Sequence, residues 1–348
     1  MEKVIVYGLG SFFEKHKEEV KDKFDVVQYF DKGRGKGEDI DGVEVCSDIH
    51  DLKTGNKVLI MVSDIDICRS ILHDLYDAGI KKEDILLGIS YWGDYSKVER
   101  ITVDEEAGIH LCHSGINIVV SSKDEFVNSV DTLVYECYKH KLASGRKEIV
   151  FDVGMNVGDA TVYFASNPNV EFVYGFEPFC PTYNSAVRNI NINKCGKKVK
   201  TFMFGLSGHN EMIDTQYDTK ISCGLSTVRS ANNTAMGNYK KMGMLSSETI
   251  ACETVEIKKS SEVFEEIINR HSDVDYILKL DCEGEEFNIM EDLSSTGMIR
   301  AFSLIMMEWH YKSSDRLIEL LDDNGFSYMS AKKQLEPELG LLYAWKQS

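Results

Sequence analysis

The chain is poor in proline and in positive charge. Only 4 of its 348 residues are Pro, whereas 43% are hydrophobic, a composition that is ordinary for a folded globular protein. Its 39 Lys and Arg residues are outnumbered by 57 Asp and Glu residues, which gives a formal net charge of −18. Because non-specific nucleic-acid binding draws its affinity from Lys and Arg side chains that neutralise phosphates, we expect no nucleic-acid partner.

Long apolar runs are also missing. No stretch approaches the ~18 consecutive apolar residues of a membrane-spanning helix, so we expect no membrane span. Residues 1–6, MEKVIV, lead into a strand without the pattern of a signal peptide, and a cytoplasmic protein is therefore expected. None of the nine cysteines forms a C-x-x-C pair, which favours reduced, mostly buried thiols over a disulfide framework.

The length of the chain predicts two cores, because 348 residues exceed a typical single domain. Strand and helix patterns alternate over residues 1–100, which indicates a small doubly wound parallel α/β domain. Residues 101–146 are expected to form a mostly helical connector, with a helix between Lys123 and His140. From residue 147 to residue 348 the same α/β alternation returns at a larger scale.

A glycine turn follows the first predicted strand. Gly8 and Gly10 are separated by one residue, and Asp31 ends the next predicted strand. This spacing allows a nucleotide, a sugar nucleotide or another small ligand, as in a dinucleotide-dependent enzyme. Phe13 occupies the position of the third glycine of that motif, however. A turn that only lets the strand and helix pack closely is therefore the favoured interpretation, and a bound ligand is the alternative.

A second turn is more informative. The apolar strand pattern of residues 148–151 runs into FDVGMNVGD at residues 151–159, and a helical pattern follows. The next predicted strand, residues 172–176, ends in Glu177, whose carboxylate can accept both hydroxyls of a ribose. Asp152 inside the turn would oppose a pyrophosphate but suits a ligand that carries an ammonium and a sulfonium. The predicted ligand is therefore S-adenosylmethionine.

Acidic residues and a histidine follow two later strands, where open α/β sheets bind their ligands. They are Asp281 and Glu283 after one strand, and Glu308 and His310 after the next. Methylation of a hydroxyl needs a general base, and His310 is the candidate at neutral pH, with the three acids orienting it or acting instead. The same four could hold Mg²⁺ or Mn²⁺. Lys279, inside the apolar run, needs a charged partner or contacts the substrate.

Further strands are expected over residues 199–205, 275–281 and 303–309, with an antiparallel hairpin of residues 326–330 and 341–345 at the sheet edge. The long span from Leu206 to Asp275 exceeds a simple crossover. It could fold over the cleft as a lid or form a surface insertion, and the sequence does not separate these alternatives.

Five segments together resemble the FkbM-type S-adenosylmethionine-dependent methyltransferases. They are FDVGMNVGD at 151–159, FEP at 176–178, NININ at 189–193, LKLDCEGEE at 278–286 and MEWH at 307–310. The resemblance covers about residues 147–345. It implies a class I methyltransferase sheet with a C-terminal hairpin, S-adenosylmethionine as donor, and O-methylation of a hydroxyl, often on a sugar or polyketide.

The resemblance also implies donor contacts. These involve Asp152, Gly154, Asn156 and Glu177, and we extend the expected set to Gly158 and Pro178 of the same motifs. The N-terminal domain loosely resembles small Rossmann-like modules of enzymes that make surface polysaccharides, which favours a nucleotide-linked or lipid-linked sugar as acceptor. A ligand-binding module without catalysis is the remaining alternative, and the sequence leaves a homo-oligomer open.

Overall fold

The computed structural model describes residues 1–34, 38–53, 55–104, 106, 108–218, 227, 250–333 and 336–346. The chain divides into two compact units, Met1–Tyr135 and Glu136–Ser348. The boundary therefore lies within the segment that the sequence indicated as a connector. In the part that the structure describes, no helix is long and apolar enough to cross a membrane.

The N-terminal unit contains a six-stranded sheet in the order β3-β4-β2-β1-β5-β6. Every pairing in it is parallel except that of β3 with β4. This arrangement confirms the expected doubly wound α/β sheet. Its elements are β1 (Glu2–Tyr7), α1 (Ser11–Lys23), β2 (Phe24–Phe30), β3 (Asp39–Ile40), β4 (Val43–Cys46), β5 (Lys57–Ile60), α2 (Ile65–Asp77) and β6 (Ile85–Leu87).

The segment expected to be mostly helical contains an antiparallel sheet as well as a helix. Three strands, β7 (Arg100–Val103), β8 (Ile109–His113) and β9 (Ile116–Val120), pair in sequence order. In β8 and at the start of β9, buried and half-buried residues alternate with the period of two that a one-sided sheet requires. The following helix, α3 (Lys123–Leu133), ends well before His140.

The C-terminal unit is built on a seven-stranded sheet in the order β12-β11-β10-β16-β17-β19-β18. Its strands are parallel except β19, which runs antiparallel to both β17 and β18. This is the class I methyltransferase sheet with its edge hairpin. Its elements are β10 (Lys147–Val153), α4 (Asp159–Ser166), β11 (Val170–Phe176), α5 (Cys180–Ile192), β12 (Val199–Phe202), α6 (Ser260–Ile268), β16 (Val274–Leu280), α7 (Glu286–Ser295), β17 (Phe302–Trp309), α8 (Asp315–Asp323), β18 (Phe326–Lys333) and β19 (Glu336–Lys346).

The long span after β12 contributes a separate three-stranded sheet. Its strands are β13 (Gly205–Ser207), β14 (Glu211–Asp218) and β15 (Ile250–Lys259), and β15 lies in the middle. The residues 219–226 and 228–249 lie outside the described residues, so the lid and the surface insertion remain predictions. Thr227 is described, and its hydroxyl lies 3.4 Å from a carboxylate oxygen of Glu285.

An aromatic cluster fixes the central strands beneath the site. Phe151 of β10 is fully buried, and its ring centroid lies 4.7 Å from that of Phe264 and 5.5 Å from that of Phe302. Burial of such rings supplies much of the stabilising area of a core. The chain adds β11 and β12 on one side of β10 and then continues on the other side with β16 and β17. The carboxyl ends of β10 and β16 therefore border the crevice where such sheets bind ligands.

Candidate active site

The glycine turn of residues 154–158 connects β10 to α4. Gly154 has φ +74°, and a Cβ at this position would lie 1.8 Å from the carbonyl oxygen of Asp281. The backbone N–H groups of Gly154 and Met155 both donate to the carbonyl of Phe176, at 3.1 and 2.9 Å. The turn is therefore closed tightly against the ends of β11 and β16, which only glycine permits at residue 154.

The remaining residues of this turn differ in their surroundings. Gly154 and Asn156 are half-buried. Gly158 is buried, has φ +83°, and packs so closely that a Cβ would lie 3.1 Å from the Cα of Ala186. Gly158 therefore serves the contact between α4 and α5, and the predicted donor contact would have to come from its backbone.

Glu177 lies where β11 ends and binds the glycine turn. One carboxylate oxygen accepts the N–H of Asn156 and the other accepts the N–H of Phe179, both at 3.1 Å. Only 6% of the residue is exposed, and burial raises its pKa to about 7. A carboxylate has about four acceptor positions, so two remain for hydroxyl donors. The half-buried Pro178 follows it.

Asp152 faces the interior. It is fully buried, and one carboxylate oxygen lies 3.0 Å from Nζ of Lys279 while the other accepts the hydroxyl of Thr161. The predicted contact of its side chain with the ligand ammonium does not fit this placement, because Lys279 already supplies the cation. The expected charged partner of Lys279 is thus Asp152, whereas Asp281 lies 3.9 Å away.

The predicted catalytic residues come together beyond the ends of β16 and β17. A carboxylate oxygen of Asp281 and one of Glu283 each lie 3.9 Å from Nε2 of His310. Glu283 has φ +53°, and its carboxylate accepts the hydroxyl of Tyr311 at 2.9 Å. Burial raises the pKa of Glu283, an effect that the charge of His310 opposes.

His310 is held by an acid that the sequence interpretation did not select. Glu286 is fully buried, lies 3.1 Å from Nδ1 of His310, and accepts the N–H groups of Cys282 and Gly284. It therefore fixes both the loop after β16 and the imidazole. The signal was available, because Glu286 is the last acid of the run EGEE, but acids are common at the start of a helix, where Glu286 begins α7, and such an acid does not by itself indicate a contact with a histidine.

The charge around His310 argues against the predicted general base. Burial alone would lower the pKa of His310, but the carboxylates of Glu283, Glu286 and Asp281 outweigh burial and raise the pKa to about 10. The imidazole is consequently protonated at neutral pH and cannot accept a proton from a substrate hydroxyl. A general base in this site has to be one of the carboxylates.

Three of these residues have the chemistry of a divalent-cation site. Single ligand atoms of Asp281, Glu308 and His310 lie within 4.8 Å of one another. The oxygens of Asp281 and Glu283 lie beyond hydrogen-bond distance from Nε2 of His310, and Nδ1 is oriented by Glu286. Such a carboxylate behind the imidazole is a usual feature of histidine metal ligands.

Tyr138 was also missed, because it lies in the segment interpreted as a connector. Its ring centroid is 5.8 Å from Nζ of Lys279, and the residue is buried. Burial, followed by the nearby charge of Asp281, raises its pKa well above the ordinary value of a phenol. The side chain therefore covers the buried ammonium as a neutral aromatic ring.

The residues of the N-terminal glycine turn and of its expected acid make contacts within the protein. Gly8 has φ +92°, and Asp31 accepts the N–H of Leu9 and the N–H of Gly33, both at 2.9 Å. Phe13, at the position of the third glycine, is fully buried in the core. These contacts give Asp31 a structural task and favour the close-packing interpretation over a nucleotide site.

The family model of the Methyltransferase FkbM domain matches residues 152–328, slightly more than half of the chain. The chain belongs to the FkbM methyltransferase family. It is thus a methyltransferase, and the matched region contains every residue predicted to contact the donor or to act in catalysis. A search of curated protein sequences returned no significant match.

Several solved structures are similar to this chain at low identity. The FkbM methyltransferase from Methylobacillus flagellatus is 11% identical, with a TM-score of 0.37, and the alignment covers 99% of this chain and 90% of that one. Human methyltransferase 10 domain containing protein is 11% identical, with a TM-score of 0.37 and coverages of 67% and 88%. An rRNA methylase from Streptococcus thermophilus is 12% identical, with a TM-score of 0.34 and coverages of 58% and 88%. Similarities this distant carry no information about the substrate.

Proposed function

We propose that this methyltransferase uses S-adenosylmethionine to methylate a hydroxyl of a carbohydrate, such as a nucleotide-linked or lipid-linked sugar, or of a related metabolite. The observation that carries the proposal is the adjacency of two sets of residues. In the sheet, Asp152 of β10 is in register with Lys279 of β16, and Lys279 with Met306 of β17. The glycine turn thus lies directly beside the carboxylates that follow β16 and β17.

The donor side fits S-adenosylmethionine, which supplies an electrophilic methyl group when bound. Glu177 has two acceptor positions left for ribose hydroxyls, and burial, which its two N–H partners only partly offset, raises its pKa. Gly154 and Asn156, which are half-buried, lie beside it in the glycine turn. Asp152 contributes by holding Lys279 and Thr161 rather than by touching the donor.

The acceptor side must remove a proton, because a protonated alcohol is a poor nucleophile. Asp281 and Glu283 are the carboxylates that border the crevice, and we assign them to the hydroxyl of the acceptor. His310, protonated and fixed by Glu286, lies 3.9 Å from each of these carboxylates, and its charge opposes the rise in the pKa of Glu283 that burial causes. The sugar assignment rests on the sequence resemblances. It rests also on the carboxylates of Asp281 and Glu283, which can accept hydrogen bonds from the hydroxyls of a sugar.

We further propose that Asp281, Glu308 and His310 can hold Mg²⁺, with His310 losing on metal binding the proton that it carries in the metal-free site. The two carboxylates are the ligands that Mg²⁺ prefers, and the imidazole adds a nitrogen ligand of the kind that transition metals such as zinc and iron favour. A bound cation would supply positive charge for the ionised hydroxyl of the acceptor. The three residues would be its protein ligands, and Glu283 would remain outside this set as the proton acceptor.

Two measurements test the proposal. Calorimetric titration with S-adenosylmethionine should show binding in the micromolar to millimolar range that is usual for enzyme substrates. Glu177→Gln should weaken it, whereas Asp31→Asn, which alters the corresponding acid of the N-terminal unit, should leave it unchanged. A wild-type protein that binds no donor at about 1 mM would contradict the proposal.

The second measurement addresses the acceptor. The protein is incubated with donor carrying an isotopically labelled methyl group and with a panel of nucleotide-linked, lipid-linked and free sugars. Mass spectrometry should find the label on an oxygen of one sugar class. Binding of donor without transfer to any hydroxylated compound in the panel or in a cell extract would instead support the non-catalytic alternative.

A further inference from the structure

Lys279 is a buried cation beside the last residue of β16. Only 3% of it is exposed. Its Nζ donates to the carbonyl of Gly154 at 2.7 Å, lies 3.0 Å from a carboxylate oxygen of Asp152, and lies 3.9 Å from one of Asp281. One ammonium therefore contacts the glycine turn on one side and lies near the Asp281 carboxylate, at the end of β16, on the other.

Stability alone does not account for this ammonium. Removing a lysine and an aspartate from water is costly, and a buried pair is often no more stabilising than two apolar side chains of similar size. The contact with the Gly154 carbonyl is different, because no apolar side chain could make it. The charge pair thus places a hydrogen-bond donor at one defined point beneath the glycine turn.

The glycine turn depends on such contacts. At residue 154 there is no room for a side chain, since even a Cβ would overlap the Asp281 carbonyl. The conformation is instead held by backbone groups: the N–H groups of Gly154 and Met155 donate to Phe176. On the opposite side of the peptide, the Gly154 carbonyl accepts from Lys279. Tyr138 covers the ammonium.

We propose that Lys279 is a positioning residue of the methyl-transfer site. Through the Gly154 carbonyl it fixes the glycine turn that receives the donor, and through its charge it keeps the Asp281 carboxylate turned towards the donor side. The inference rests on the proposed function for its meaning in catalysis, but its structural part concerns the protein without any ligand.

The first test uses Lys279→Met, with Lys198→Met as the matched control. Lys198 is another structural lysine of the C-terminal unit, and its Nζ donates to the carbonyls of Ala165, Asn167 and Val170. Amide hydrogen exchange of residues 153–157 is measured in the ligand-free protein. Lys279→Met should speed this exchange about tenfold or more, as expected for loss of a hydrogen bond from a charged group, and Lys198→Met should not.

The second test separates positioning from stability. Lys279→Met leaves Asp152 as an unpaired buried charge, so Asp152→Asn is added to make a double variant of recovered stability. The double variant should keep the fast exchange, bind S-adenosylmethionine about tenfold more weakly, and show a lower kcat, because Asp281 is also displaced. Lys198→Met should lower thermal stability and leave KM and kcat unchanged.

The outcomes are distinct. A double variant that exchanges residues 153–157 and binds the donor like the wild-type protein would show that Lys279 is only half of a structural pair. If the wild-type protein binds no donor, the proposed function fails, while the exchange of residues 153–157 still decides whether Lys279 positions the turn.

Discussion

Glu177→Gln should remove a pH dependence of stability that a single buried carboxylate causes. The pKa of Glu177 is raised from 4.5 to about 7 because the side chain is buried. A folded-state pKa above the unfolded value means that the stabilising contribution is complete below pH 4.5 and is lost as pH rises through about 7. At about 1.4 kcal/mol per pKa unit, this group lowers the free energy of unfolding by roughly 3 kcal/mol across that window.

The variant should also bind S-adenosylmethionine more weakly. Hydrogen bonds to a charged acceptor are about twice as strong as those between neutral groups. Two ribose hydroxyls that lose the carboxylate would therefore lose about 2 kcal/mol together, which corresponds to a Kd about 30-fold higher. The ribose hydroxyls donate hydrogen bonds and therefore favour the ionised form of Glu177. Binding of S-adenosylmethionine to the wild-type protein should accordingly release a proton below pH 7.

Two assays check these values. Urea unfolding at a series of pH values gives the free-energy difference between Glu177→Gln and the wild-type protein, and the contributions of other groups cancel in it. Calorimetry in buffers of different ionisation enthalpy gives the number of protons released. A difference in the free energy of unfolding that does not change with pH would refute the reasoning on stability. A variant that binds S-adenosylmethionine as tightly as the wild-type protein, with the same proton release, would refute the reasoning on the ribose hydroxyls. Asp31→Asn serves as the control.

The remaining predictions concern other parts of the site. Gly154→Ala should lower the free energy of unfolding by about 3 kcal/mol in urea titrations, because its Cβ would overlap the Asp281 carbonyl. Gly196→Ala, with open space around it, should be neutral within about 0.5 kcal/mol, and equal effects of the two substitutions would contradict the tight closure of the turn. Glu286→Gln should lower kcat about 10- to 100-fold with little change in donor Kd, and an unchanged kcat would show that the orientation of the imidazole is immaterial. Chelation of divalent cations should lower turnover, and Glu308→Gln should raise the Mg²⁺ concentration needed to restore it; activity that is indifferent to both would exclude the proposed metal ligands.

The sheet of the C-terminal unit could be predicted because its strands carry strong local signals. Residues 148–151 form a continuous apolar run, and Gly154 and Glu177 mark the ends of neighbouring strands. Parallel strands present their carboxyl ends at one edge, so the grouping of Asp281 with His310 also follows from sequence. The edge hairpin was also predicted, from the two strand patterns at residues 326–330 and 341–345, and both strands are longer in the structure.

The contacts that decide chemistry could not be predicted. Asp152 lies in the expected turn, yet whether its side chain faces the ligand or Lys279 depends on tertiary packing. The protonation of His310 depends on three carboxylates from a loop and a helix, and Glu286 contributes only because the loop folds back on it. The strands at Ile109 and Ile116 were missed because short amphipathic strands resemble connector sequence.

Transfer of a labelled methyl group from S-adenosylmethionine to an oxygen atom tests the central claim most directly. Cell extract is incubated with the labelled donor and either the wild-type protein or the Glu283→Gln variant, and the products are analysed by mass spectrometry. We expect one hydroxylated, sugar-containing metabolite to gain the label as a methyl ether with the wild-type protein and far less with the variant. A label on nitrogen, sulfur or carbon, or no labelled product although the donor binds, would contradict the account.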